Sequence, residues 1–594
     1  MTEDSTTLLL GGRVYTPGSP DATAMAITGG TIVWVGQDAP ARALHPGAEI
    51  VDLDGAFVAP GFVDAHVHAT ATGLHHTGLD LTRVRDAAGL LAAVRDAVRP
   101  GEVLIAHGWD ESQWNDPRLP SRAELDAAAG DVPVYLSRVD VHSALVSSAL
   151  ITPEARAADG WSPDGPLTRD AHHRVRDAMR AAITSEQRAR AQRAFLDTAA
   201  SRGIVSVHEC AGPDISSEQD LLDLLALTDG PEVVAYWGEH GAIDTARRLG
   251  VRGLAGDLFV DGALGSHTAA LCSPYTDAPD TSGALYLDAA AIGDHLAACT
   301  DAGLQAGFHV IGDAAVAEVV EGFRLAEKTV GQRALASRHH RLEHLEMITP
   351  EQARALASWG VAGSMQPQFD AAWGGTDGMY ATRLGDRAAA LNPFAMLASE
   401  GVVLAFGSDA PVTPLDPWAS VRAATYHRTP GSGLSARASF TAHTRGGHRA
   451  AGINDGLTGA LVPGAPAHYA VWDAPELVVA TADSRVARWS TDPRAGVPPL
   501  PKLDADAPLP TCLRTVRAGR VIFESWGVGA GGVPGGPDPA GKKKVVEGGA
   551  PRHQHPNPPK KTTPPRGGRG GFICVWFFSP RYTPPRTPHD SFTP

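Results

Sequence analysis

Eight short strand-like runs, separated by stretches long enough to hold a helix, dominate the chain between Pro60 and Ala410. They are Phe62–His68, Ile204–His208, Val233–Trp237, Leu258–Asp261, Gln305–His309, Arg341–His344, Val361–Gln366 and Val402–Ser408. Neighbouring parallel strands need a long crossover between them, usually a helix. Eight such units predict an α/β fold, a (β/α)8 TIM-like barrel, over residues 59–453. That architecture restricts where chemistry can sit, because functional side chains gather at the C-terminal ends of barrel strands.

Three parts fall outside this rhythm. Residues 74–186 carry extra strand-like runs, Val103-Leu104-Ile105-Ala106 and Val134-Tyr135-Leu136-Ser137, amid many turn residues. They are expected to form an insertion after the first strand, long enough to cover the barrel mouth; the alternative counts Val103–Ala106 as the second barrel strand. Residues 1–58 and 454–530 each hold short alternating strands with glycine turns. Neither segment is large enough to bury a core alone, so the two are expected to pair into one composite β-sandwich. Residues 531–594 differ in composition. From Gly541 onward there are ten Lys plus Arg against two Asp plus Glu, with many prolines, which leaves a net −23 on the rest of a chain whose total is −15. Such a segment cannot bury enough apolar surface to offset its chain entropy, and it reads as a disordered basic tail.

The expected strand ends share a chemistry. In Gly61-Phe62-Val63-Asp64-Ala65-His66-Val67-His68, side chains alternate faces, so His66 and His68 point the same way, roughly 7 Å apart along the chain. The fifth run ends at His309, the sixth at His344 and the eighth at Asp409. Each has an ordinary explanation by itself: buried histidines serve as core residues, and Ser-Asp often caps a helix. All five at barrel strand ends point instead to a bound divalent metal, for which imidazole plus carboxylate suits Zn2+ best.

The same stretches resemble the amidohydrolase superfamily, in the branch that includes N-substituted formamide deformylase. The resemblance rests on Pro60–His68, Asp261–Leu271, His309-Val310-Ile311-Gly312-Asp313, His340-Arg341-Leu342-Glu343-His344, Ser364-Met365-Gln366-Pro367 and Phe406–Val412, and it covers roughly Thr7 to Glu524. It implies a metal-dependent hydrolase of amide and related C–N bonds, with a metal-activated water as the nucleophile. Many relatives bridge two metals with a carboxylated lysine four residues before the Asp261-Gly262 pair. Here that position is Asp257, and Lys328 is the only lysine before Lys502. The expectation is therefore one metal held by His66, His68, His309 and Asp409, with Asp257 too short to reach. Asp409 would act as proton shuttle and His344 as a catalytic group that polarises the substrate carbonyl or as a supporting partner of the metal ligands. A two-metal site using Asp257, His344 and either Glu209 or Asp261 is the alternative. Asp313 reads as a supporting partner or helix cap, and Gln366 and Gln368 as candidates for substrate contact.

Composition narrows the partners. A net charge of −15 argues against nucleic acid, no apolar run is long enough for a bilayer, and Met1–Pro20 lacks a basic-then-apolar leader pattern. Five scattered cysteines argue against a disulfide framework and fit a reducing cytoplasm. A small-molecule substrate is expected, and a homodimer is compatible. Trp109, Trp114, Trp237 and Trp373, near expected mouth loops, hint at an apolar or aromatic substrate. Two other functional classes use similar residues: a deaminase of ring amidines, and a non-catalytic binding protein on this fold.

Overall fold

The computed structural model describes residues 5–139, 143–479 and 497–525. Its centre is an eight-stranded parallel sheet of β1 (Phe62–Val67), β2 (Ile204–Ala211), β3 (Glu232–Trp237), β4 (Gly253–Leu254), β5 (Gln305–Val310), β6 (Arg341–His344), β7 (Ala362–Met365) and β8 (Val403–Phe406). The strands neighbour one another in chain order. The sheet curls until its ends meet: Val67 bridges Ala410, the His68 N–H donates to the Ala410 carbonyl (3.0 Å), and the Asp409 N–H donates to the His66 carbonyl (2.8 Å). The seam is tight at Gly407, where a Cβ would lie 2.5 Å from the His66 nitrogen. Asp64 secures it by accepting from the Ser408 N–H at 2.9 Å. Helices pack around the sheet. On the helix Asp313–Val330, Val316, Val319, Val320 and Phe323 recur at the spacing of one helical face, and all are buried against Phe308, Leu342 and neighbours.

Seven of the eight expected strands lie where the sequence places them. The fourth does not. It is the two-residue Gly253–Leu254, and Leu258–Asp261 forms only an isolated bridge, Phe259 to His309. The cause is Gly256, at φ +79°, which bends the chain between the two.

The run Val103–Ala106 lies outside the barrel. Strand Leu104–Trp109 belongs to a separate five-stranded sheet with Leu79–Asp80, Val134–Arg138, Ser143–Val146 and Leu167–Thr168. That sheet has its own apolar cores, one around Trp109, Leu125 and Leu136 and another around Tyr135, Leu167 and Val175. Helices Ala69–Thr77 and Ser185–Ser201, at its two ends, pack on each other so closely that a Cβ on Gly73 would fall 1.8 Å from the Ala191 carbonyl oxygen. Near the termini, a four-stranded sheet uses Thr6–Leu10, Ala24–Thr28, Thr31–Gly36 and Glu49–Asp52. A second sheet joins both ends of the chain: Arg13–Val14 and Phe57–Pro60 pair alongside Tyr469–Asp473, Thr511–Arg517 and Arg520–Glu524. The expected basic tail lies outside the described residues. No described helix is long and apolar enough to cross a membrane.

Candidate metal centre

His66 lies near the end of β1 and His68 just beyond it, at the start of the helix Ala69–Thr77, with Val67 between them buried in an apolar core that includes Trp418 and Phe62. Both imidazoles reach the same two carboxylates. His66 Nε2 lies 3.4 Å from Asp257 Oδ1 and 3.5 Å from Asp409 Oδ1, and His68 Nε2 lies 3.3 Å from Asp257 Oδ2 and 3.1 Å from Asp409 Oδ1. Ligand atoms of His66, His68 and Asp409 all fall within 4.8 Å of one another, and so do those of His66, Asp257 and His344. The expectation that Asp257 is too short to reach is therefore corrected. Gly256, at φ +79°, turns the chain immediately before Asp257.

Below this cluster, His66 Nδ1 hydrogen-bonds to Glu343 Oε2 at 2.9 Å. Arg341 grips Glu343 with two nitrogens, Nε to Oε1 (2.6 Å) and Nη2 to Oε2 (2.9 Å), and also donates to the Ala65 carbonyl and to Ser364. All three side chains are fully buried. Burial alone would raise the Glu343 pKa, but Arg341 and His66 overcome it and hold the carboxyl well below the usual range. An ionised Glu343 accepts a hydrogen bond from Nδ1–H and so aims His66 Nε2 at the two aspartates, where it would offer its lone pair to a bound metal.

The electrostatics ask for a cation. Burial pushes Asp409 up to about 7 and Asp257 up to about 6, each tempered first by His66. Burial opposes charge on His66, yet Cys210, Asp409 and Asp257 together draw a proton to it, well above its ordinary pKa. His66 Nε2 and Asp257 Oδ1 make no hydrogen bond among the described residues although both are buried. Buried polar atoms are seldom left so, and nitrogen and carboxylate donors at this spacing fit a divalent ion.

The remaining expected residues divide. His344 stands 5.2 Å from His66 and 4.4 Å from His309, ring centre to ring centre, and its Nδ1 meets Gln366 Oε1 at 2.8 Å. Gln366 thus contacts His344, while Gln368 donates to the Pro414 carbonyl. His309 belongs to neither converging group; it packs between His344 and Phe259. Both oxygens of Asp261 are occupied by the backbone N–H groups of Ala270, Ile311 and Gly312, and Glu209 accepts from the Ala69 N–H. Asp313 accepts from Cys272 and Ala314. Trp109 and Trp114 are packed inside the inserted unit, and Trp237 is in the barrel core. Trp373 lines a small cavity with Phe369 and Tyr380.

A larger cavity of about 380 Å³ starts at His68 and Glu209 and is walled by Leu74, Met179, Ile183 and Ile215, with Arg180 and Asp177 on the side of the inserted segment. That volume suits a small molecule. Glu343 and Arg341 are the members of this site whose roles the sequence reading missed; Asp257 entered it only as a ligand of the alternative two-metal site. The alternation Arg341-Leu342-Glu343 does carry a signal, since two opposite charges on one face of a buried strand need each other.

The amidohydrolase family model matches residues 49–523. The chain belongs to the amidohydrolase family. Within the family it is similar to the putative amidohydrolase YtcJ of Bacillus subtilis strain 168, with 28% identity over 421 residues, 65% of this chain and 76% of that protein. It is also similar to the N-substituted formamide deformylase of Arthrobacter pascens, with 22% identity over 451 residues, 69% of this chain and 82% of that protein. Among solved structures, an uncharacterized metal-dependent hydrolase from Pyrococcus furiosus superposes with a TM-score of 0.67 at 26% identity, covering 78% of this chain and 98% of that one. The fold is thus that of the family's metal-dependent hydrolases.

Proposed function

We propose that this protein hydrolyses a C–N bond, of an amide, formamide or cyclic amide, in a small-molecule substrate, using a divalent metal, Zn2+ first among candidates. The observation that carries this reading is the meeting of His66, His68, Asp257 and Asp409 at the C-terminal mouth of the barrel. These four residues would hold the ion, with His344 and Asp257 available to a second one. When bound, such an ion lowers the pKa of a coordinated water from about 15.7 toward about 7 and polarises a carbonyl oxygen.

The chain's own groups do the rest. Asp409 accepts the proton of the attacking water and delivers it to the departing nitrogen, a role that needs a carboxylate at hydrogen-bond distance. Glu343 and Arg341 keep His66 in one tautomer and orientation. With Gln366 Oε1 accepting from Nδ1–H, His344 keeps its lone pair on Nε2. It is therefore better suited to hold a cation or accept a proton than to donate to the carbonyl, one of the roles the sequence reading gave it. The cavity beside His68 would take the acyl or amine portion of the substrate.

The test is a hydrolysis screen of the metal-loaded protein against formamides, linear amides, cyclic amides and ring amidines. Release of amine that stops on chelation and returns with metal is the expected result. Ammonia release confined to ring amidines, or no turnover of any member, would overturn the reading.

A further inference from the structure

Leu74, Met179, Ile183 and Ile215 wall the cavity beside His68, and they come from three separate parts of the chain. Leu74 stands on the helix Ala69–Thr77 that follows the first barrel strand, and Ile215 on the loop after the second, Ile204–Ala211. Met179 and Ile183 belong to the inserted segment, four residues apart at the end of its helix Arg169–Ala182. Leu74, Met179 and Ile215 are buried and Ile183 is half-buried. An apolar cavity of roughly 150 Å³ accepts a benzene ring, so the volume of about 380 Å³ here has room for a ring and a short linker.

The pocket is preformed. Gly73, next to Leu74, packs on Ala191 of the helix Ser185–Ser201, which begins two residues after Ile183. That contact ties the helix of Leu74 to the chain that continues from Ile183. His68 joins the pocket to the metal centre, because it lines the cavity while its Nε2 lies 3.3 Å from Asp257 Oδ2. A substrate whose scissile bond sits at the metal centre can therefore extend a substituent past His68 into the apolar space.

The charged groups around the cavity already have partners. Asp220 accepts from the Thr70 hydroxyl at 2.9 Å and from the Gln192 amide at 3.3 Å. Arg188 lies 3.1 Å from Asp223 and 3.7 Å from Asp220, and Glu209 accepts from the Ala69 N–H at 2.7 Å. Asp177, Arg180 and Asp214 are engaged in interactions of their own. An ionic substrate group would give up its hydration here against apolar walls and charges that are already paired. What recognises a ligand is the apolar surface, whose burial is favourable in proportion to the area removed from water.

We propose that the inserted segment sets substrate choice: Met179 and Ile183, together with Leu74 and Ile215, receive an uncharged, ring-sized apolar substituent of the substrate. This deepens the hydrolase reading and rests on it. These side chains bind, and no bond changes at them.

The test titrates the zinc-loaded full chain at neutral pH, by calorimetry, with hydroxamates that share one metal-chelating head. Phenylacetohydroxamate should bind at least about tenfold more tightly than acetohydroxamate, because only the ring adds apolar contact. 4-Carboxyphenylacetohydroxamate, which carries a charge on the ring, should lose that advantage. Ile183→Asp should abolish the ring preference and Ile183→Leu should keep it. Equal affinity of phenylacetohydroxamate and acetohydroxamate for the parent protein would overturn the proposal, whether or not the variants fold. A preference that survives Ile183→Asp, or a charged ring that binds as tightly as the uncharged one, would overturn it as well. Binding of neither hydroxamate would refute the metal centre, and the proposal with it. Ring preference in binding, with no turnover of any amide or formamide, would refute the hydrolase reading while supporting the pocket.

Discussion

Glu343 accepts a hydrogen bond from His66 Nδ1 at 2.9 Å, and both side chains are fully buried. The pair links the barrel's first and sixth strands across its interior and fixes which nitrogen of His66 faces the aspartates. Its energetic support is Arg341, whose guanidinium is itself closed in by Glu343, the Ala65 carbonyl, Ser364, His208 and the face of Tyr236 at 4.3 Å.

Glu343→Gln keeps the shape of this link but removes the charge that orders it. Metal affinity should fall by about 10–100-fold, the usual effect of losing a partner that orients a ligand. Competition against a chromophoric chelator measures it; unchanged affinity would remove Glu343 from the site. Both variants leave Arg341 buried without a counterion, at a cost of about 3–5 kcal/mol, and Glu343→Ala also removes the acceptor and leaves a cavity, so it should be the less stable of the two. Denaturant unfolding separates the two effects.

Asp409→Asn preserves volume and abolishes the proton acceptor. With metal supplied in excess, kcat should drop by a factor of at least about 100. Parent-like turnover would reassign the proton transfer to another group.

Metal retention should depend on pH with a definite sign. Burial raises Asp257 to about 6 and Asp409 to about 7, so protons compete with the ion below these values and not above them. Dialysis at about pH 8 should leave the metal bound, and dialysis at about pH 5 should strip it. Metal analysis after each treatment checks this; equal retention at both values would contradict the predicted proton competition at these two carboxyls.

Gly407→Ala tests the closure of the barrel. The added methyl would lie 2.5 Å from the His66 nitrogen and 2.9 Å from Asp64 Oδ1, so the seam between β1 and β8 must open. The variant should lose about 1–3 kcal/mol of stability, as overpacked sites do, and because Asp409 and His66 flank the seam it should bind metal more weakly. A variant with parent-like melting and metal binding would show that the seam tolerates more than its spacing suggests.

The barrel was legible because its strands are short apolar runs between long helical stretches, and because His66, His68 and Asp409 end such runs. Asp257 was misjudged for a reason the sequence hides. It follows the Gly256 turn, and a glycine at φ +79° looks in sequence like any other glycine. His344 was named from its strand end, but alternation alone does not bring it to the site. Simple alternation would put it on the face of Leu342, which packs toward the helices. Positive φ at His344 and at Leu345 turns the chain out of its strand and brings the imidazole to His66 and His309. Such a conformation in a non-glycine residue is costly and is held only by surrounding structure, so residue type gives no sign of it. His309 was placed correctly at a strand end, but its ring packs on His344 outside the converging ligand groups.

Anomalous scattering at the zinc edge, from crystals of the zinc-loaded protein, locates the ion itself. A strong peak should lie within coordination distance of His66 Nε2, His68 Nε2 and the carboxylates of Asp257 and Asp409. Absence of a peak there, with zinc bound elsewhere or not at all, would contradict this metal centre.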